Sequence, residues 1–239
     1  MIDDTHIASA YDRDLETLQA LIMKMGGLVE DGITKAATSL EKRDEELAEE
    51  VRAADVAIDR LEEQINEEVA RVIAMRQPIA VDLRVILTVL KVSSNLERIG
   101  DYAKNMAKRT TVLAGMHQVN GSAASIRRMA KEVERMLKDV LDAYIQRDAD
   151  LAMEVIKRDI DVDQMYNALF REFLTFMMED PRLITACMHL HFIAKNTERM
   201  GDHVTNIAEE VVYLVTGERP DEKRPKEDQT SFDASIAPV

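Results

Sequence analysis

Residues 95–107 read Asn95-Leu-Glu97-Arg98-Ile-Gly100-Asp101-Tyr-Ala-Lys-Asn105-Met-Ala107, and residues 196–208 read Asn196-Thr-Glu198-Arg199-Met-Gly201-Asp202-His-Val-Thr-Asn206-Ile-Ala208. Seven of the thirteen positions are identical; chance at average residue frequencies gives roughly one. The identical residues are mostly not core formers. A duplicated helix keeps its apolar period in order to pack, but packing alone gives no reason to keep Glu-x-x-x-Asp-x-x-x-Asn twice. The repeat therefore points to a site in two copies.

Working outward, the prolines parse the chain. Before residue 218 there are only two, Pro78 and Pro181. Proline breaks a helix interior by removing a donor and clashing with the preceding turn. Each lies between long segments of helical apolar period. Leu15, Leu18, Leu21, Ile22, Met25 and Val29 begin the first helix, and Val51, Ile58, Leu61, Ile65, Val69 and Val72 carry the second. Val81, Val85, Leu87, Val89, Leu90, Ile99 and Met106 carry the third. Breaks are expected near Arg43-Asp44, at Gln77-Pro78 and around Gly115–Gly121. Three further helices follow, from Ile126 to Ile145, from Leu151 to Met178, and from Leu183 to Val215, the last stopped by Gly217. The sequence predicts an all-α fold of two tandem three-helix bundles, residues 8–115 and 121–217. The six helices are each about 25–35 residues long and antiparallel to their chain neighbours. Residues 218–239 hold three of the five prolines and no periodicity, so a disordered charged tail is expected there.

Composition agrees. Aromatics are 4% and charged residues 32%, with 14 methionines, as in a long-helix protein with a Leu, Ile, Val, Met and Ala core. The methionines read as gap fillers. The net charge of −14 argues against a nucleic-acid surface and against anionic lipid, and permits cation binding and docking to basic partner surfaces. Cys187 is the only cysteine, so no internal disulfide forms; a buried thiol in a reducing compartment is expected. No secretory signal and no apolar run long enough to span a bilayer are visible. The expected location is cytoplasmic.

Glu97, Asp101 and Asn105 fall at i, i+4 and i+8 and are read as sharing one helix face, as are Glu198, Asp202 and Asn206. A second acidic pair precedes each, Asp55 with Asp59 and Asp159 with Asp163. Asp59 is 19 residues before Pro78 and Glu97 is 19 after; Asp55 is 23 before and Asp101 is 23 after. Asp163 and Glu198 are 18 and 17 residues from Pro181; Asp159 and Asp202 are 22 and 21 from it. In two antiparallel hairpins the acids therefore meet at the same level twice. Crowded carboxylates repel or take up protons, and hard oxygen ligands in this number suit Mg, Ca, Mn or Fe, with Zn less typical. Gly100 and Gly201 sit between the acids, where glycine costs about 1 kcal/mol against alanine. A plainer account is a local ion pair, Arg98 with Asp101 and Arg199 with Asp202, with glycines serving helix packing. Two level-matched copies favour cation sites. Arg98 and Arg199 are also placed to meet carboxylate or phosphate groups of a partner.

Other chemistry is thin. There is no Gly-rich phosphate loop and no His-Glu-x-x-His. No Glu-x-x-His supplies histidines for a ferritin-like di-iron centre, and no nucleophile–base constellation is visible. His189, His191 and His203 read as surface or packing histidines.

With these residues in view, the sequence resembles the PhoU family, regulators of bacterial phosphate uptake and signalling. The resemblance covers roughly residues 10–217. It rests on Asp82-Leu-Arg84, Glu97-Arg-Ile-Gly-Asp101, the run Phe192-Ile-Ala-Lys…Glu198-Arg-Met-Gly-Asp202-His203-Val-Thr-Asn206-Ile-Ala-Glu209, and Val212-Tyr-Leu-Val-Thr-Gly217-Glu. Asn196 and Thr197 depart from it, being polar where a larger residue is expected. The resemblance implies two similar three-helix bundles and Glu-x-x-x-Asp motifs that hold metal ions. It implies a non-enzymatic cytoplasmic adaptor linking the phosphate ABC transporter, chiefly its ATPase subunit, to a sensor histidine kinase. It also implies frequent homodimers. The alternative left by the residues is a carboxylate-bridged metal enzyme or metal store.

Overall fold

The computed structural model describes residues 4–220, with side chains from residue 10. Most of the expected tail, residues 221–239, lies outside the described residues. Six α-helices follow one another: α1 Asp4–Lys42, α2 Glu45–Arg76, α3 Val81–Ala114, α4 Ser122–Gln146, α5 Ala149–Glu179 and α6 Ile184–Thr216. A single 3-10 turn, Pro181–Leu183, precedes α6. Each proline break falls where the apolar period stops. The first helix exceeds the expected length, running 39 residues and starting well before Leu15. Residues 4–14 contain no glycine or proline to stop it, and long-range pairs hold the extension down. Asp14 accepts from Arg71 at 2.8 Å and from Arg76 at 2.9 Å, both on α2.

The turn between α1 and α2 is built like the turn between α4 and α5, a duplication outside the acidic motif. Arg43 and Arg147 take left-handed backbone at φ 54° and 56°. The N–H of the following aspartate closes back on the helix, Asp44 to the Ser39 carbonyl at 2.9 Å and Asp148 to the Ala143 carbonyl at 3.0 Å. Each aspartate then caps the next helix, accepting from Leu47 N–H at 2.9 Å and from Leu151 N–H at 3.0 Å. Asp44→Ala and Asp148→Ala are each expected to cost about 1 kcal/mol, read as a lower denaturation midpoint at unchanged slope. At the far end Gly217, at φ 84°, ends α6 as its expected stop.

Helices α1, α2 and α3 pack on one another, as do α4, α5 and α6. The halves are joined through α3 against α6 and α1 against α4. Cross-contacts fix the direction of the central pair. Arg84 stacks over Tyr213, Lys91 bonds Glu210 at 2.9 Å, Asn95 meets His203 at 2.8 Å, and Arg109 meets His189 at 3.3 Å. One residue number rises as the other falls, so α3 and α6 are antiparallel. Buried Leu, Ile, Val, Met and Ala side chains form one core cluster drawn from all six helices. Cys187 is within it, and burial pushes its thiol above the usual range.

Candidate functional site

The acids lie on the facing sides of α2 with α3, and of α5 with α6. In the first unit Asp55 is buried, at 4% exposure, while Asp59, Glu97 and Asp101 are half-buried. Asp55 and Asp101 act on each other electrostatically, as the count from Pro78 predicts. Glu97 acquires a neighbour the sequence reading missed, Glu62 of α2. Glu62 follows Asp59 at i+3, the spacing that would have revealed it. Burial comes first and the adjoining Asp101 second in pushing the Glu97 carboxyl up to about 7. Burial also raises Glu62 and Asp55.

The second missed residue is Lys104, one turn beyond Asp101. Its Nζ donates to Asp55 Oδ2 across the helix pair and stands 3.3 Å from Asp101 Oδ1. The bond to Asp55 raises the ammonium to about 12. Arg98 is exposed and loosely placed, 3.7 Å from Glu97 and 3.9 Å from Asp101. The local ion pair of the plainer reading is thus present, at a strength of about 1 kcal/mol or less for exposed partners.

In the second unit Asp159, Asp163 and Glu198 are buried and Asp202 is half-buried. Lys195 reaches Glu198 Oε1 at 2.9 Å and lies over the Tyr166 ring at 4.7 Å. Thr197 is buried and donates to the Ile193 carbonyl at 3.0 Å.

Gly100 and Gly201 serve the close approach of the paired helices. A Cβ on Gly100 would stand 3.0 Å from Ile58 Cδ1 and 3.7 Å from Asp55 Oδ1; one on Gly201 would stand 3.2 Å from Asp159 Oδ1. In both units the missing Cβ leaves the space that the aspartate carboxylate borders.

The two asparagines do not share the face assigned to them. Asn105 is exposed. Asn206 is turned to the seam between the units, where its Nδ2 donates to Asn95 Oδ1 at 3.5 Å. Eight residues at 3.6 per turn leave a drift of about 80° around the axis, enough to carry an i+8 residue off the face of residue i. His203 Nδ1 joins the same Asn95 oxygen, which fits a packing histidine.

Nor do the carboxylates converge as placed. Among the described residues no group of three or more acidic, histidine or cysteine side chains stands in a geometry that could hold a metal ion. In the first unit the reason is visible: the Asp55 carboxylate is directed onto Lys104. The acids are gathered at one level, but the orientations of a ready-made ion site are not there.

The fold and its duplicated acidic helix pairs define a tandem-repeat helical-bundle protein. The family model described as PhoU domain matches residues 22–110 and again 126–211, once on each half, and the chain belongs to the PhoU family. It is 46% identical over 226 residues, 95% of this chain and 98% of the relative, to the phosphate-specific transport system accessory protein PhoU homolog of Caulobacter vibrioides. It is 44% identical over 231 residues, 97% and 98%, to the protein of the same name from Rhizobium meliloti. Among solved structures, PhoU from Pseudomonas aeruginosa superposes at a TM-score of 0.84 with 39% identity, covering 87% of this chain and all of that one. The phosphate transport system regulatory protein PhoU from Streptococcus pneumoniae superposes at 0.82 with 31% identity, covering 89% and all. The Caulobacter and Rhizobium relatives are named as accessory proteins and the Streptococcus protein as a regulatory protein, none of them as an enzyme. No helix of the described residues is long and apolar enough to cross a membrane.

Proposed function

We propose that this protein restrains phosphate uptake and phosphate-starvation gene expression as a non-catalytic cytoplasmic adaptor. It docks on the phosphate ABC transporter, chiefly the ATPase subunit, and on a sensor histidine kinase, and acts as a homodimer. One observation carries the reading. The PhoU-domain model matches both halves of the chain, in company with relatives named for phosphate-specific transport along nearly their whole length. Fold alone would not support it. A net charge of −14 suits encounter with basic partner patches, whose rate rises with charge complementarity and falls with salt. Deleting the gene is expected to switch the regulon on in abundant phosphate, and salt to weaken docking by slowing association. Normal repression in the deletion strain, with no binding of the purified protein to either partner, overturns the reading and moves the metal-store alternative forward.

The cation sites belong to the same proposal. Glu97 with Asp101, and Glu198 with Asp202, supply hard oxygen donors, with Asp55, Asp59, Asp159 and Asp163 beside them. An ion such as Mg, Ca, Mn, Fe or Zn would be taken up only as the carboxylates turn toward one another. Its contribution when bound is charge compensation within each helix pair. The double substitution Glu97→Gln with Asp101→Asn is expected to halve the metal content of protein purified without chelator; unchanged content removes the first site.

A further inference from the structure

The two copies of the motif are not chemically equal. At the residue spacing that aligns Gly100 with Gly201, Lys104 aligns with Thr205; at the spacing that aligns Asp55 with Asp159, Glu62 aligns with Tyr166. Thr205 is fully buried, and its hydroxyl donates to the Gly201 carbonyl at 3.0 Å. Lys104 is 40% exposed at its side chain. It approaches from the solvent side on a flexible four-carbon stem and ends between carboxylates of two helices, Asp55 on α2 and Asp101 on α3. An ammonium is a compact point charge with three donors. It therefore meets two carboxylate oxygens much as a small cation would.

We propose that Lys104 is the resident cation of the first acidic cluster, and that a metal ion entering that unit must displace its ammonium from Asp55 and Asp101. The inference rests on the proposed cation binding and adds a determinant of it that the duplicated motif does not contain. Asp55 cannot reach water for compensation; without a positive neighbour it is a buried uncompensated charge. Lysine leaves readily because its charge stays hydrated at the surface when the stem swings outward. The charge of Asp55 and Asp101 is thereby partly compensated in the absence of metal, and weak binders are held off. The second unit answers to a different lysine, Lys195, placed before Glu198 rather than after Asp202.

The test uses the full chain and manganese(II) as the probe, with binding followed by the loss of the free-ion electron spin resonance signal and stability by thermal melting. In chelator, Lys104→Met is expected to melt several degrees below wild type. Manganese is expected to restore most of that loss and to bind about tenfold more tightly than in wild type, because one competing charge has gone. Adding Asp55→Asn to Lys104→Met removes the stranded carboxylate; the double variant should recover the wild-type melting point and lose the extra manganese response of Lys104→Met, keeping only that of the second unit. Equal manganese responses in wild type and Lys104→Met overturn the Lys104 inference and leave the cation reading standing. No response in either overturns both.

Discussion

Gly201→Val is expected to lower the stability of the fold by about 3 kcal/mol, the upper end for an overpacked core. A Cβ at Gly201 already stands 3.2 Å from Asp159 Oδ1, 3.3 Å from Val162 Cγ1 and 3.8 Å from Val133 Cγ2. Valine adds two more carbons to that space. Asp159 is only 1% exposed, so its carboxylate has no solvent to retreat into. Val162 is β-branched and stiff about χ1. Helices α5 and α6 must therefore separate, or the carboxylate must move. For a chain of this size the loss reads as a fall of about 6–12 °C in melting temperature. Gly27→Ala is the control: nothing lies within 4 Å of a Cβ there, the position is exposed on α1, and the change should stabilise by up to about 1 kcal/mol. A Gly201→Val protein that melts with wild type would mean the duplicated glycine is not a packing requirement.

The second large effect is a loss of stability as pH rises. Glu97, with an ordinary value of 4.5, is pushed up to about 7 in the folded chain by burial and by Asp101. Between those limits the folded state keeps a proton that the unfolded state has released. The stability this proton supplies is fully present below about pH 4.5 and is lost as pH passes through about 7. At 1.36 kcal/mol for each unit of difference, discounted for sharing with Asp101, the loss is about 2 kcal/mol. Glu62 and Asp55 are shifted in the same direction. Glu97→Gln should therefore flatten this limb without abolishing it, and should raise stability at pH 8. Chemical denaturation in chelator from pH 5 to pH 8 makes the measurement. A limb of equal steepness in wild type and Glu97→Gln would remove Glu97 as its source. A bound divalent cation would reverse the slope, because it favours the ionised carboxylates.

Parts of the site were legible for particular reasons. Asp55 and Asp101 could be paired by counting from Pro78, because two straight helices rise equally per residue on either side of a tight turn. Glu62 and Lys104 were not found, although both follow a motif acid at i+3. Identity between the two copies does not mark them, because these are positions where the copies differ, matched by Tyr166 and Thr205 in the other unit. Asn105 and Asn206 lie off the face that the i, i+4, i+8 spacing suggests, because the helical period rotates an eighth residue about 80° from the first. The break at Arg43-Asp44 is legible in the sequence, but its repetition at Arg147-Asp148 lies outside the acidic motif and is marked only by a two-residue identity.

The sequence by itself determined the all-helical class, the six helices and their breaks, the tandem halves, and the level at which the acids meet. These follow from local rules: the 3.6-residue period, proline's missing donor, and glycine's tolerance of left-handed backbone. Only the tertiary structure decided that α3 and α6 lie antiparallel across the seam, that Asn95 gathers His203 and Asn206 there, and that the Asp55 carboxylate turns onto Lys104 instead of toward its fellow acids. Those outcomes depend on which side chains face each other across a helix pair and on how burial is compensated. A one-dimensional period carries rise along an axis, but it does not carry the rotation and packing of neighbouring axes, where the charges of this protein are balanced.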